Sequence, residues 1–207
     1  PMKLKRILSL ALSGVLAVGL MTGCFGGGGK GGNEVKYVDG FVSALNGATN
    51  NSPEVESSDT LSRAVRRVAT EMTIDQAKEG LADEALREKV RDITDTVVKP
   101  QLDEPSAWDT YKEAKKFSTV RIYAAGENVN AATIANKVKS DVFDKIQLSN
   151  AVKGDDYTNS YKCYASAYEV TVSDGADAED KKAEDVTVYV VGIQIDRSVT
   201  INPASND

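Results

Sequence analysis

The sequence predicts an α+β fold, on three observations. Apolar residues recur every three or four positions between about Glu34 and Val98, which is helical spacing. From Phe117 the pattern turns to alternation rich in β-branched and aromatic residues, which suits strands with one face buried. One helical stripe, Ile134, Val138, Val142 and Ile146, interrupts those strands. The expected architecture is a helical N-terminal part, 34–116, followed by a β-α-β-β unit, 117–207, whose small, mainly antiparallel sheet packs against helices.

Taken in order, Val35, Val38, Val42 and Leu45 predict a helix over Glu34 to Leu45. "NGATNNSPEVESSD" follows, and its Asn, Gly, Pro and Ser compete with helical hydrogen bonds, so Asn46 to Asp59 reads as an exposed loop. Asp59 then caps a helix with Leu61, Ala64, Val65, Val68 and Met72 on one face. Thr73 and Gln76 have the spacing of a capping box, opening a short helix to Leu81. Leu86, Val90, Ile93 and Val97 mark a longer helix, Asp83 to Val98, before Pro100 and Pro105 interrupt and a short piece around Trp108 and Tyr111 follows. "FSTVRIYAA" is the first strand, and Gly126 and Asn128 turn the chain into the last helix, with Lys137, Lys139, Asp141 and Lys145 left for solvent. "SYKCYASAYEVTV" and "DVTVYVVGIQIDRSVTI" are two long strands joined through the polar "SDGADAEDKKAED". From Val186 to Ile195 only Thr187, Gly192 and Gln194 are not apolar or aromatic, so the last strand should be central and covered on both faces.

The first 33 residues follow a different logic. Lys3, Lys5 and Arg6 precede the uncharged "ILSLALSGVLAVGL", and small residues lead to Cys24: a basic region, an apolar region and a cleavage region. Pro1 stands ahead of Met2, the expected initiator. "MTGC" resembles the lipobox of bacterial lipoprotein precursors, with Met21 where Leu is commonest. The resemblance implies a signal peptide over 2–23, cleavage before Cys24, and a diacylated Cys24 as the new N-terminus. The competing reading is an uncleaved membrane helix, since Ile7 to Phe25 is long enough to cross about 30 Å of hydrocarbon. Either way the basic residues favour the cytoplasmic side and place the body outside the membrane. "GGGGKGG" within 24–33 has no side chains to bury and reads as a flexible tether. It is not a phosphate loop, because Lys30 is followed by Gly31 rather than Ser or Thr.

Charge and composition exclude several function classes. Loss of residues 1–23 removes three basic residues and no acidic one, moving the net charge from −6 to −9. Such a surface repels nucleic acid and anionic lipid, so membrane contact is expected through the lipid at Cys24 alone. The chain has no histidine, which removes Ser-His-Asp and Cys-His nucleophilic sites and His-based metal sites. No Ser-x-x-Lys or Gly-x-Ser-x-Gly is present. No cofactor, no metal site and no catalytic residue is therefore expected.

Three groups remain as candidates. Asp174, Asp177, Glu179, Asp180, Glu184 and Asp185 offer oxygen ligands, but they lack calcium-loop spacing and Lys181 and Lys182 oppose a cation, so a solvated hairpin tip is the better reading. Tyr157, Tyr161, Tyr164 and Tyr168 cluster, and period-two alternation puts Tyr164 and Tyr168 on one face as candidate contacts for a sugar or peptide. Core packing is their competing role. Cys163 has no histidine to activate it and reads as an inert, half-buried thiol.

Together the signal, the tether, the helical part and "YVVGIQID" resemble the small lipoproteins of low-GC Gram-positive bacteria. That resemblance implies a cell-membrane location facing the extracellular side, or the periplasm, and supplies no activity. The expectation is a non-catalytic binding or envelope-interaction module for an envelope protein, peptide or glycan. A carboxylate- or Ser/Lys-dependent hydrolase and a transporter's substrate-binding lipoprotein are the alternatives.

Overall fold

The computed structural model describes residues 32–102, 114–126, 128–146, 152–153, 157–173 and 185–201. Two 17-residue strands, β6 (Tyr157–Ser173) and β7 (Asp185–Ile201), pair antiparallel along their whole length and form the spine of the sheet. β4 (Lys115–Ala124) runs antiparallel along the other edge of β7, and β3 (Val97–Val98) adds in parallel to β4. On the far side β6 takes β1 (Glu34–Tyr37) antiparallel, β2 (Val55–Glu56) parallel and β5 (Val152–Lys153) antiparallel. The result is a seven-stranded, mainly antiparallel sheet in the order β1-β6-β7-β4-β3, with β2 and β5 also on β6. Strands from 34–116 are thus hydrogen-bonded to the long strands of 117–207 in one sheet.

Helices cover both faces. α1 (Phe41–Thr49) and α5 (Ala131–Val138), continued by a π-helical turn (Lys139–Phe143), pack on one face. α2 (Asp59–Glu71), α3 (Ile74–Glu79) and α4 (Glu84–Thr94) pack on the other. The pleat divides each long strand between the two layers. In β7, Val191, Ile193 and Ile195 point to α1 and α5, whereas Val188 and Val190 point to α2–α4. That division is why the strand reads as nearly continuous apolar sequence, as expected for a central strand buried on both sides.

Several predicted elements differ at their ends, for local reasons. The expected helix over Glu34 to Leu45 is a strand and then a helix. Val35 joins the α2–α4 layer and Val38 the α1–α5 layer, so they lie on opposite faces of the sheet and not on one helical stripe. Gly40 at φ 73 makes the turn between them, a conformation that favours glycine. The helix expected to reach Val98 stops at Thr94, because Asp95 turns left-handed at φ 52 and the β-branched Val97 and Val98 pair with β4 instead. The loop expected from Asn46 holds the end of α1 and then β2. Asn46 fixes that strand by mimicking a backbone partner: its Nδ2 donates to Val55 O at 2.7 Å and its Oδ1 accepts from Val55 N at 2.7 Å. Ser58, one residue before Asp59, caps α2. The Thr73–Gln76 capping box forms as predicted, with Gln76 Oε1 accepting from Thr73 N at 2.9 Å and Thr73 Oγ1 from Gln76 N at 3.3 Å.

The body begins with a clasp. Asn33 Nδ2 reaches the carbonyls of Ala69, Thr70 and Met72 at 2.8–3.2 Å, satisfying C-terminal groups of α2 that have no partner within the helix. Trp108, Tyr111, the acidic 174–184 stretch, Cys24 and the 1–31 segment lie outside the described residues. Among the described residues no helix is long and apolar enough to cross a membrane.

Candidate functional site

The tyrosine cluster is divided by the pleat as predicted. Tyr164 and Tyr168 share the α2–α4 face of β6, and Tyr161 packs against the other layer. Tyr168 is buried, 8% exposed, and both ends of its side chain are engaged. Its ring meets Tyr37 of β1 edge-to-face at 5.4 Å and 72°, and its hydroxyl lies 2.8 Å from Ser62 Oγ on α2. The aromatic surface offered to solvent here is that of Tyr37, 44% exposed, which ends β1 and is not part of the helix expected over Glu34 to Leu45. Burial, and then the neighbouring Tyr168 and Asp39, raise the Tyr37 hydroxyl pKa. Tyr164 is half-buried, and its hydroxyl pKa is raised by burial first and then by Asp196 and Glu56.

A second feature lies on the opposite layer. The outer side of α5 and the π-helical turn forms an open depression of about 580 Å³ lined by Asn130, Thr133, Asn136, Lys137, Ser140 and Asp141. These are the polar side of the amphipathic stripe that buries Ile134, Val138 and Val142. Amides, hydroxyls, one cation and one carboxylate alternate there at helical spacing, a set that matches hydrogen-bonding neutral ligands better than highly charged ones. Asn130 is partly committed, because its Oδ1 accepts from Thr133 N at 3.0 Å as the N-cap of α5. Nearby on β4, burial and the Asp141 carboxylate push the Tyr123 hydroxyl pKa well up. The spacing of these residues was visible in the sequence, but nothing there marked this face over any other solvated helix face.

Cys163 sits under α1, 1% exposed, and burial with a smaller contribution from Asp196 pushes its thiol up to about 12. From an ordinary value of 9.0 this leaves roughly a thousandfold less thiolate at neutral pH, so the thiol is inert in the folded chain. Carbamidomethylation at about pH 8, read at Cys163 by peptide mass, is expected to be at least about a hundredfold slower in the folded chain than in urea. The raised value also has a stability consequence. The unfolded thiol ionises first, so this contribution is complete below pH 9.0 and is lost as pH rises towards about 12. Among the described residues no three Cys, Asp or Glu converge on a point that could hold a metal ion.

Fold and surface together define an α+β protein with helices on both faces of a long two-stranded spine, carrying an aromatic seam on one side and a polar depression on the other. No family model, no curated protein and no solved structure matches the chain.

Proposed function

We propose that the chain is a membrane-anchored, extracytoplasmic lipoprotein whose body is a non-catalytic binding or envelope-interaction module. The observation that carries this reading is Cys24, set between an uncharged apolar run with a basic start and a glycine tract. The tether ends where the body begins. Asn33 is clasped to α2, so Phe25 to Asn33 holds the fold within about 30 Å of an acylated Cys24. Lack of histidine throughout the chain and the buried state of the Cys163 thiol support a non-catalytic role. The amide and hydroxyl lining of the α5 depression supports a glycan or peptide as the ligand class.

The test is the intact mass of the protein extracted from bacterial membranes, beside a Cys24→Ala variant. A mass that lacks residues 1–23 and carries a diacylglycerol, with both changes lost in the variant, is the expected result. An unmodified mass that includes residues 2–23 would overturn the reading and make Ile7 to Phe25 a membrane helix.

A further inference from the structure

The α2–α4 layer carries two parallel ridges of opposite charge. α2 exposes Arg63, Arg66 and Arg67 along its outer side, and α4 with its cap exposes Glu88, Asp92 and Asp95 beside an exposed Arg91 whose charge is met by Glu84 at 3.0 Å. Arg67 is held by Glu71 at 3.1 Å, and Glu71 also meets Lys89 across the two helices. The other five make no ion pair among the described residues. They point outward from neighbouring helices and so do not meet one another within one chain.

Their levels along the layer can be read from contacts. Lys89 meets Glu71, so these residues are level. From there α2 and α4 descend together in opposite chain directions. Leu61 and Val65 lie over Gly192, and Thr94 is linked through Thr96 to Ser118, which is in register with Gln194. At 1.5 Å per residue, Asp92 lies about 4–5 Å below that level, Arg67 and Arg66 about 6–8 Å, Asp95 about 9 Å and Arg63 about 12 Å. A two-fold axis parallel to the helices preserves these levels while setting α2 of one copy against α4 of the other. Asp92 then faces Arg66 and Arg67, and Asp95 faces Arg63, with level differences of about 3 Å that an arginine side chain spans easily. Each pair occurs twice, as an isologous interface requires. An axis across the helices would instead set like charge on like.

We infer that the α2–α4 layer is a self-association surface, and that its partner is a second copy of this chain. An anionic bilayer matches the ridges less well, because it would attract α2 and repel α4 in the same contact. The interface is rich in exposed charge, so it is weak and salt-sensitive. It does not depend on acylation of Cys24, and its failure would leave that reading untouched.

The experiment uses two full-length copies with different affinity tags, co-expressed in bacteria and extracted in detergent. Wild-type copies are expected to co-purify at about 50 mM salt and to separate at about 500 mM. The R63E/R66E variant should co-purify with itself about tenfold less, as should D92K/D95K with itself. Mixing the two variants should restore co-purification, because each acidic ridge then meets a basic one. Thermal melts establish that all variants fold. A mixed pair no better than either variant alone, or wild-type copies that never co-purify, would overturn the proposal. So would binding to phosphatidylglycerol vesicles that R63E/R66E abolishes and D92K/D95K strengthens, which would make a lipid surface the occupant.

Discussion

Gly192→Ala is expected to destabilise the protein by about 1–3 kcal/mol or more, although it adds a single methyl group. A Cβ at Gly192 would stand 2.3 Å from Val65 Cγ2 and 3.1 Å from Leu61 Cδ1, so α2 rests directly on the backbone of β7. The first contact is far inside van der Waals range, and Val65 cannot easily yield. A valine in a helix has one strongly preferred χ1 rotamer, so relief requires α2 to lift off the sheet. Lifting α2 would loosen Leu61, Ala64, Val65 and Val68, all fully buried. The mechanism has its own check. Val65→Ala removes the clashing methyl, so in the double variant Gly192→Ala should cost less than it does alone, with a coupling of about 0.5–3 kcal/mol. Urea melts of the four proteins measure it, and simple additivity would mean that α2 does not rest on Gly192.

Phe41→Ala is expected to cost about 3–5 kcal/mol. Phe41 is the first residue of α1 and only 1% exposed, within the cluster that includes Leu45, Ile134, Val138, Ile193 and Ile195. Removing the ring leaves a cavity between α1 and the sheet that the stiff β-branched neighbours fill poorly. Phe41 and Gly192 serve cores on opposite faces of the sheet. Their effects should therefore add to within about 0.3–0.5 kcal/mol, provided the chain unfolds in one transition. Two separate urea transitions in Phe41→Ala would show instead that the α1–α5 layer melts independently.

The elements that were legible are those whose signal is local. The capping box at Thr73 and Gln76, the alternating strand around Val120, the i, i+4 stripe of α5 and the apolar run of the last strand from Val186 to Ile195 all carry their own period or cap. The short strands β1, β2 and β3 were not legible. Two to four residues cannot display a period, and β1 and β2 pair with residues more than a hundred positions away, as Val35 with Val170 and Val55 with Cys163, while β3 pairs across the interruption that follows it, as Val97 with Phe117. In the tyrosine cluster, alternation placed Tyr164 and Tyr168 on one face. That Tyr168 would be enclosed by Tyr37 and Ser62 followed only once β1 and α2 closed over it.

The sequence by itself determined the class, the order of the long elements and the burial of the last strand on both faces. These follow from hydrophobic period and run length, which are properties of contiguous residues. It also determined that the chain has no histidine for catalysis or metal binding. The tertiary structure decided the size of the sheet, the presence of helices on both its faces, the close seat of α2 on Gly192, and the opposed charge ridges of α2 and α4. Each arises where segments distant in the chain are brought together, so its energy lies in contacts between faces that no single segment contains.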